Sequence, residues 1–277
     1  MDGAEASRRL LKRLVAQDPT DLARAALAVA REEYPELDEG RYLRVLDELA
    51  QSVQSGLPSG ASPERRVGRL NSYLFHDLGF AGNRTDYYDP RNSFLNEVLD
   101  RRLGIPLTLC IVYIEVGRRC GLRVEGVGFP GHFLCKVQLD GGELVVDPFH
   151  RGQLLGLEEL KRRLAAAVGD QVKFDARILR SARPREIIIR MLQNLRSVYQ
   201  ERNDMPRALS AVDRLLLLAP ENIRGLRERA QLCEQLGGPA AAAADLEKVL
   251  ELQPGAPDAA ALRARVRRLR GASQFLN

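Results

Sequence analysis

A pattern of residues repeats in the C-terminal third of the chain and limits the folds that this part can adopt. Ala208, Leu216, Leu218 and Pro220 recur, all at the same offset, as Ala242, Leu250, Leu252 and Pro254. A fixed period indicates supersecondary units that stack and bury their apolar faces against one another. The pattern therefore predicts a row of helix pairs rather than a second globular core.

The details of the repeat indicate its type. Asn203 and Gly237, which are separated by the same offset, mark the same turn between two helices. A period of about 34 residues, small residues where helices cross and a proline after the second helix are typical of tetratricopeptide repeats. We predict an all-α domain over 183–277, with units at about 187–220 and 221–254 and a capping helix at 257–270.

Residues 1–182 have the pattern of an α+β domain. Helical spacing covers residues 5 to about 55, and further helices are expected at 70–78 and 94–103. Pro106 precedes LTLCIVYIEVGRRCG, which is apolar on most sides and predicts a buried helix ended by Gly121. β-branched residues within it favour a strand, whereas its length favours a helix.

Strands follow this helix. They are predicted at 124–129, 132–139 and 143–146, and Asp140-Gly141-Gly142 forms a hairpin turn between the last two. The predicted architecture is therefore a helical half packed on an antiparallel sheet, followed by the helical tail.

Charge and hydropathy narrow the choice of partners. The net charge is +5, but basic and acidic residues alternate along the chain, which disfavours a nucleic-acid partner. The densest basic patch fits a solvated face of the last helix and comprises Arg263, Arg265, Arg267, Arg268 and Arg270.

No apolar run approaches the roughly 18 residues of a membrane span, and the first residues lack the apolar core of a secretory signal. We expect a cytoplasmic protein with no membrane partner.

The four cysteines do not form a metal-binding pattern. None of them belongs to a CxxC pair, so the sequence predicts neither a metal site nor a cofactor. In the cytoplasm these thiols stay reduced.

Two residues form a candidate acid–base pair. His132 lies at the head of one predicted strand, and Asp147 lies at the end of the next. Their relative orientation depends on the hairpin loop: an even number of loop residues places them on one face, and an odd number on opposite faces. The alternatives are a hydrogen-bonded structural histidine and an Asp-Pro turn.

The nucleophile of such a site would lie near the start of the buried helix, where the helix dipole lowers a thiol pKa. Thr108 lies in the first turn, and Cys110 lies two positions deeper. Because two residues differ by about 200° around a helix, only one of these side chains can face His132. The alternatives are a capping role for Thr108 and a core role for Cys110.

A long polar loop, GFAGNRTDYYDPRNS at 79–93, precedes the buried helix. Loops of this length inside compact domains are often functional. Its polar and aromatic side chains either bind a ligand or satisfy the loop backbone. They are Asn83, Asp86, Tyr87, Tyr88, Asp89 and Asn92.

Three segments carry a family resemblance. GFAGNRTDYYDPRNSFLNEVLDRRLGIPLTL, VEGVGFPGHF and VVDPF resemble bacterial proteins of the SirB type over roughly residues 30–270. That resemblance implies a transglutaminase-like core of the papain-like group, followed by tetratricopeptide repeats. The wider superfamily uses a Cys, His, Asp triad, and by position His132 and Asp147 match two members. The cysteine position falls near Pro106 to Thr108, where this chain has none. Thr108 is the best match, so the resemblance implies a degenerate triad.

These observations support one main hypothesis and several alternatives. The main hypothesis is a non-catalytic protein-interaction or regulatory module that binds a protein or peptide through its tail, its pocket or both. The alternative is a cysteine-dependent hydrolase or acyl transferase using Cys110 with His132 and Asp147. Two weaker alternatives are hydroxyl chemistry through Thr108 and an arginine-rich surface for nucleic acid.

Overall fold

The chain forms two compact units in a computed structural model, which describes residues 3–169 and 171–274. The first unit is Met1–Met191 and the second is Leu192–Asn277. Within the described residues, no helix has both the length and the apolar character needed to cross a membrane.

Among the described residues, seven helices lie wholly within the first unit, and side-chain caps fix where several of them start. Asp21, Asp38 and Ser62 each accept a hydrogen bond from a backbone N–H in the first turn that follows. The helices are α1 (Gly3–Val15), α2 (Leu22–Ala30), α3 (Glu39–Ser55), α4 (Pro63–Asn71), α5 (Leu95–Arg101), α6 (Pro106–Arg119) and α7 (Leu157–Val168).

Helix α6 is the centre of the first unit. Every residue from Pro106 to Gly117 is buried, so this helix has no solvent face over most of its length. The prediction of a buried helix is confirmed, and Gly121 follows its end with φ +76°. The β-branched residues in its middle do not produce a strand, because a segment of this length opened by proline can satisfy its backbone internally as a helix.

A five-stranded antiparallel sheet packs against α6 in the order β6-β5-β4-β3-β7. A separate two-residue parallel pair joins β1 to β2. The strands are β1 (Ala81–Gly82), β2 (Leu103–Gly104), β3 (Arg123–Val127), β4 (Leu134–Leu139), β5 (Gly142–Asp147), β6 (Gln153–Leu155) and β7 (Ser181–Ala182). The α+β class is therefore confirmed.

Several element boundaries differ from the predicted ones. The helix expected at 70–78 is a π-helical continuation of α4 over Ser72–Asp77. The helix expected at 94–103 ends at Arg101, and Arg102 caps it in the left-handed conformation (φ 59°). The loop at 79–93 contains β1 and a 3-10 turn, Pro90–Ser93.

Only helices are found in the described residues of the second unit, in agreement with the prediction. α9 and α11 begin and end at the offset of the sequence repeat, and the turns before them contain Asn203 and Gly237, both with positive φ. Ala208 and Ala242 are fully buried at equivalent positions. The helices are α8 (Pro184–Glu201), which begins in the first unit, α9 (Met205–Leu218), α10 (Ile223–Gln235), α11 (Pro239–Leu252) and α12 (Ala259–Gln274).

Candidate functional site

The carboxylate of Asp147, at the end of β5, organises the site. It is completely buried, and Oδ1 accepts hydrogen bonds from the backbone N–H groups of Phe149 (3.1 Å) and His150 (3.3 Å). It therefore caps the 3-10 turn Pro148–His150 in the way an N-cap residue caps a helix. The chain leaves this turn through Arg151, with φ 53°.

Three cationic or titratable side chains converge on the same carboxylate. His132 Nε2 lies 3.0 and 3.1 Å from its two oxygens, and His150 Nδ1 lies 2.7 Å from Oδ2. Arg163, on α7, also donates to Oδ2. Burial by itself would raise the pKa of Asp147, but the hydrogen bonds and charge of these partners lower it well below its usual value. The carboxylate is therefore ionised and accepts from both rings.

The Asp147 carboxylate also fixes which nitrogen each histidine presents. Because an ionised carboxylate only accepts hydrogen bonds, His132 Nε2 and His150 Nδ1 carry protons. Nδ1 of His132 and Nε2 of His150 remain for a ligand, since neither has a protein partner in the described part of the chain. The pair is thus oriented for binding or proton transfer.

Two features of the backbone place His132 beside Asp147. Gly131, with φ +69°, turns the chain, and the N–H of His132 donates to the Phe129 carbonyl. Arg190 then holds the His132 carbonyl at 2.9 Å. The strand predicted from residue 132 therefore begins only at Leu134, because the turn uses the His132 backbone.

The length of the β4–β5 hairpin loop determines how Asp147 is placed relative to β4. Leu139 pairs with Gly142, so only Asp140 and Gly141 lie in the loop. In this register Asp147 is opposite residue 134, which lies two positions from residue 132. The loop is therefore of the even-numbered kind. His132 itself precedes β4, and its distance of 3.0 Å from the Asp147 carboxylate shows that the two side chains meet.

Thr108 does not present its hydroxyl to a substrate. The side chain is fully buried, and Oγ1 donates to the Asn92 carbonyl at 2.7 Å. The same oxygen accepts from the Ile105 N–H at the start of α6, and this N–H also lies 3.4 Å from the Asn92 carbonyl. The hydroxyl thus fastens the helix to the preceding loop.

Cys110 is also inaccessible. It is fully buried, and its thiol donates to the Phe133 carbonyl at 3.5 Å rather than to the His132 ring. Burial raises the pKa of Cys110 well above its usual value, and the neighbouring Cys135 and the charge of Asp147 raise it further. A thiol in this state is a poor nucleophile, because the thiolate is the reactive form.

The polar residues of the 79–93 loop have two kinds of environment. Asn83 Nδ2 donates to Asn92 Oδ1, and Asn92 Nδ2 donates to the backbone of residues 86 and 87. Asp89 is buried in an ion pair with Arg101. Asn83, Asp89 and Asn92 thus serve the internal structure of the loop, and Asp86 contributes its backbone N–H to Asn83. Ligand binding by these polar residues stays a prediction.

The tyrosines of this loop are exposed instead. Tyr87 and Tyr88 keep 41% and 50% of their surface in solvent and contact each other edge to face. Tyr87 also contacts Phe149, whose ring lies beside His132 and His150. An aromatic rim therefore adjoins the His–Asp cluster.

A cavity of about 510 Å³ opens beside His150 and Phe149. Gly82 is needed here, because a Cβ at this position would lie 2.4 Å from the Phe149 ring. The volume is within the range of ordinary ligand pockets. The lining residues are Ala81, Gly82, Arg84, Phe149, His150, Arg151 and Gln153.

The His–Asp cluster has the atom types of a metal site. One ligand atom each from His132, Asp147 and His150 lie within 4.8 Å of one another, and imidazole with carboxylate suits several transition metals. However, Arg163 donates to the same carboxylate, and its positive charge opposes a divalent cation there.

Comparison with known proteins identifies the family of each domain. A family model described as "Transglutaminase-like superfamily" matches residues 40–193, more than half of the chain. The chain belongs to the transglutaminase-like superfamily. A second model, described as "Tetratricopeptide repeat", matches residues 195–267. The superfamily fold expected for the first domain and the repeats expected after it are thus both confirmed. No solved structure matches the chain.

Two bacterial relatives match most of the chain. It is 42% identical over 236 residues to a "UPF0162 protein" of Xylella fastidiosa, covering 84% of each chain. It is 33% identical over 238 residues to a "UPF0162 protein" of Pseudomonas aeruginosa, covering 86% of this chain and 87% of the relative. The mouse protein "F-box only protein 21" is 31% identical over 180 residues, which cover only 28% of that longer protein.

Sequence reasoning missed three residues of this candidate site. His150 is one of only three histidines, and its place three positions after Asp147 is the signal that it shares the same carboxylate. Arg163 carries no comparable signal, because only the folded position of α7 brings it to the site. Arg190 reaches His132 from α8 and could not be anticipated either.

Proposed function

We propose that the chain is a non-catalytic protein-interaction module of the SirB type, with a degenerate triad, working in the bacterial cytoplasm. In this proposal the first domain, 1–182, binds a polypeptide segment at the pocket beside His132 and Asp147. The second domain, 183–277, contributes a further surface, since tetratricopeptide repeats generally mediate protein interactions.

One observation carries the proposal: the start of α6 offers no nucleophile. Thr108 uses its hydroxyl to fasten the helix, and Cys110 is buried and protonated. Covalent catalysis requires an activated nucleophile within hydrogen-bond reach of the base. The retained His–Asp pair and the exposed aromatic rim then serve binding, because aromatic side chains are enriched in the cores of protein interfaces.

Alkylation of the thiols separates this proposal from the hydrolase alternative. We expect iodoacetamide to modify Cys110 in the folded chain no faster than Cys135, which is also fully buried. His132→Ala should leave the Cys110 rate unchanged. A Cys110 rate well above that of Cys135, slowed by His132→Ala, would instead establish Cys110 as an activated thiol.

Site-specific photo-crosslinking tests the binding role. A benzophenone side chain is placed at Tyr87, at the exposed Leu236 of the repeats, or at the exposed Val168 as a control. We expect one discrete protein adduct from position 87 or 236 in living cells, reproduced with the purified partner, and no such adduct from position 168. Equal, diffuse labelling from all three positions would contradict the proposal.

A further inference from the structure

Two arginines of the cavity lack acidic partners. Neither Arg84 nor Arg151 forms an ion pair with any carboxylate in the described part of the chain. This differs from many other arginines of the chain, such as Arg163, Arg177 and Arg229, each of which contacts Asp or Glu. An arginine without a carboxylate partner in a concave site is available to an anionic ligand.

The lining of the cavity contains no acidic side chain among the described residues that would compete for these arginines. It comprises two arginines, one histidine, one glutamine, one phenylalanine and two small residues. The neighbouring acid, Asp147, is fully buried and already satisfied by Arg163 and two histidines. The local charge therefore favours an anion over a cation.

Neighbouring groups hold three polar side chains of the cavity in place. The Arg84 guanidinium lies 5.8 Å from the centroid of the Phe149 ring, a cation–π distance. Arg163 donates to Gln153 Oε1 at 3.1 Å, which leaves the Gln153 amide N–H groups as donors. Asp147 fixes the ring of His150 through Nδ1. Donors oriented in this way lose little entropy when a ligand binds.

The rim indicates what kind of molecule carries the anion. Tyr87 and Tyr88 are exposed next to Phe149, and tyrosine and arginine are among the residues most enriched at binding hot spots of protein interfaces. A small free anion would make no use of this rim.

We propose that the cavity binds the carboxylate side chains of an acidic peptide segment, with Arg84 and Arg151 as the principal contacts and the tyrosine rim against the peptide backbone. This inference rests on the proposed function and names the chemistry of its partner. Each arginine–carboxylate contact of this charge-assisted type is expected to contribute about tenfold to affinity.

A displayed library of short random peptides tests the inference on the full-length chain. We expect selection to enrich Asp and Glu, and a selected peptide to bind about tenfold or more tightly than its version with Gln in place of Glu. Arg84→Gln and Arg151→Gln should each weaken binding about tenfold. Arg123→Gln removes the same charge from an exposed site on β3 outside the cavity lining and should change binding less than twofold.

Several outcomes would overturn the inference. Selected peptides that are not enriched in Asp and Glu would show that the cavity does not bind carboxylates. An equal loss of peptide binding in Arg123→Gln and Arg84→Gln would show the same. If adducts from Tyr87 persist in that case, the proposed function stands and only this inference fails. Absence of both adducts and selected peptides would contradict the proposed function as well.

Two further binding measurements distinguish an acidic peptide from two other ligands, phosphate and Zn²⁺. Inorganic phosphate that binds more tightly than any selected peptide would identify a phosphate site instead. Zn²⁺ binding, measured calorimetrically and lost in His132→Ala and His150→Ala but kept in His76→Ala, would identify a metal site if it also displaced the peptide. His76 is the remaining histidine and lies exposed outside the cluster.

Discussion

Replacing Asp147 with Asn removes the negative charge of the carboxylate but keeps the shape of the side chain. The side chain keeps its size, but one acceptor oxygen becomes a donor amide. Five groups donate to Asp147: two backbone N–H groups, two histidine rings and Arg163. An amide oxygen cannot satisfy all of them, and its NH₂ group must face at least one donor.

The cost follows from the burial of this network. Removing one partner of a buried ion pair costs about 3–5 kcal/mol, because an uncompensated charge remains. The Arg163 and His132 side chains are 20% and 18% exposed, so water relieves part of the loss. We therefore expect Asp147→Asn to destabilise the sheet by about 3 kcal/mol, the lower end of the range.

Hydrogen exchange measured by mass spectrometry is the appropriate assay. A chain with two compact units need not unfold in one step, so a single global midpoint would mix them. Amides of β4 and β5 report the opening of the sheet itself. A loss of about 3 kcal/mol corresponds to exchange about 100-fold faster.

Asp140→Asn, in the exposed hairpin turn, removes the same charge without a buried partner and should change exchange less than threefold. Exchange in Asp147→Asn that is less than tenfold faster than in the unsubstituted chain would refute the claim that the charge holds the site together.

The dependence on pH has a definite sign. Because folding lowers the pKa of Asp147, its ionised form contributes stability that is fully present above the unfolded value of about 3.9. This contribution is lost as the pH falls through the lower pKa of the folded state. The difference between Asp147→Asn and the unsubstituted chain should therefore shrink as the pH falls below about 4.

Three further substitutions test the surroundings of the site. Thr108→Val should lower the protection of α6 amides against hydrogen exchange by about 1–2 kcal/mol, because it removes the buried hydrogen bond that fastens α6; unchanged protection would contradict this role. Gly82→Ala places a Cβ 2.4 Å from the Phe149 ring and should cost about 1–3 kcal/mol; an unchanged crystal position of that ring would contradict the close contact. Gly131→Ala introduces a side chain at φ +69° and should destabilise the folded chain by about 1 kcal/mol. It should also shift the His132 imidazole resonances, and unchanged resonances would show that the turn does not position the ring.

Local signals predicted most of the elements correctly. The apolar circumference of α6 and its opening proline were enough to identify the buried helix. The constant repeat offset identified the repeats because each unit must present the same small residues to its neighbours, as at Ala208 and Ala242. Helix ends were less predictable: Arg102 adopts a left-handed conformation that sequence reasoning reserves for glycine, since hydrogen bonds of the folded chain decide it.

The site was predictable only in part. His132 and Asp147 each lie at a turn that the sequence indicates, and the two side chains meet because Asp147 ends β5 and the turn at Gly131 carries His132 to it. The environment of Cys110 was less accessible to sequence reasoning, since its hydrogen bond to Phe133 depends on how α6 lies against β4. Arg163 lies 16 residues after Asp147 and Arg190 lies 58 residues after His132, each on a helix, and no local pattern predicts that they meet at the site.

The two-residue turn of the β4–β5 hairpin also determines where this chain can gain residues. A residue added between Asp140 and Gly141 lengthens only the exposed turn, because Leu139 can stay paired with Gly142 and the face of Asp147 is then unchanged. A single residue added within β5, between Gly142 and Asp147, would instead turn the Asp147 side chain to the other face of the sheet and disrupt the buried cluster. Among variants that keep the cluster, length changes should therefore occur in the turn, and single insertions in β5 should occur only with a β-bulge that restores the phase.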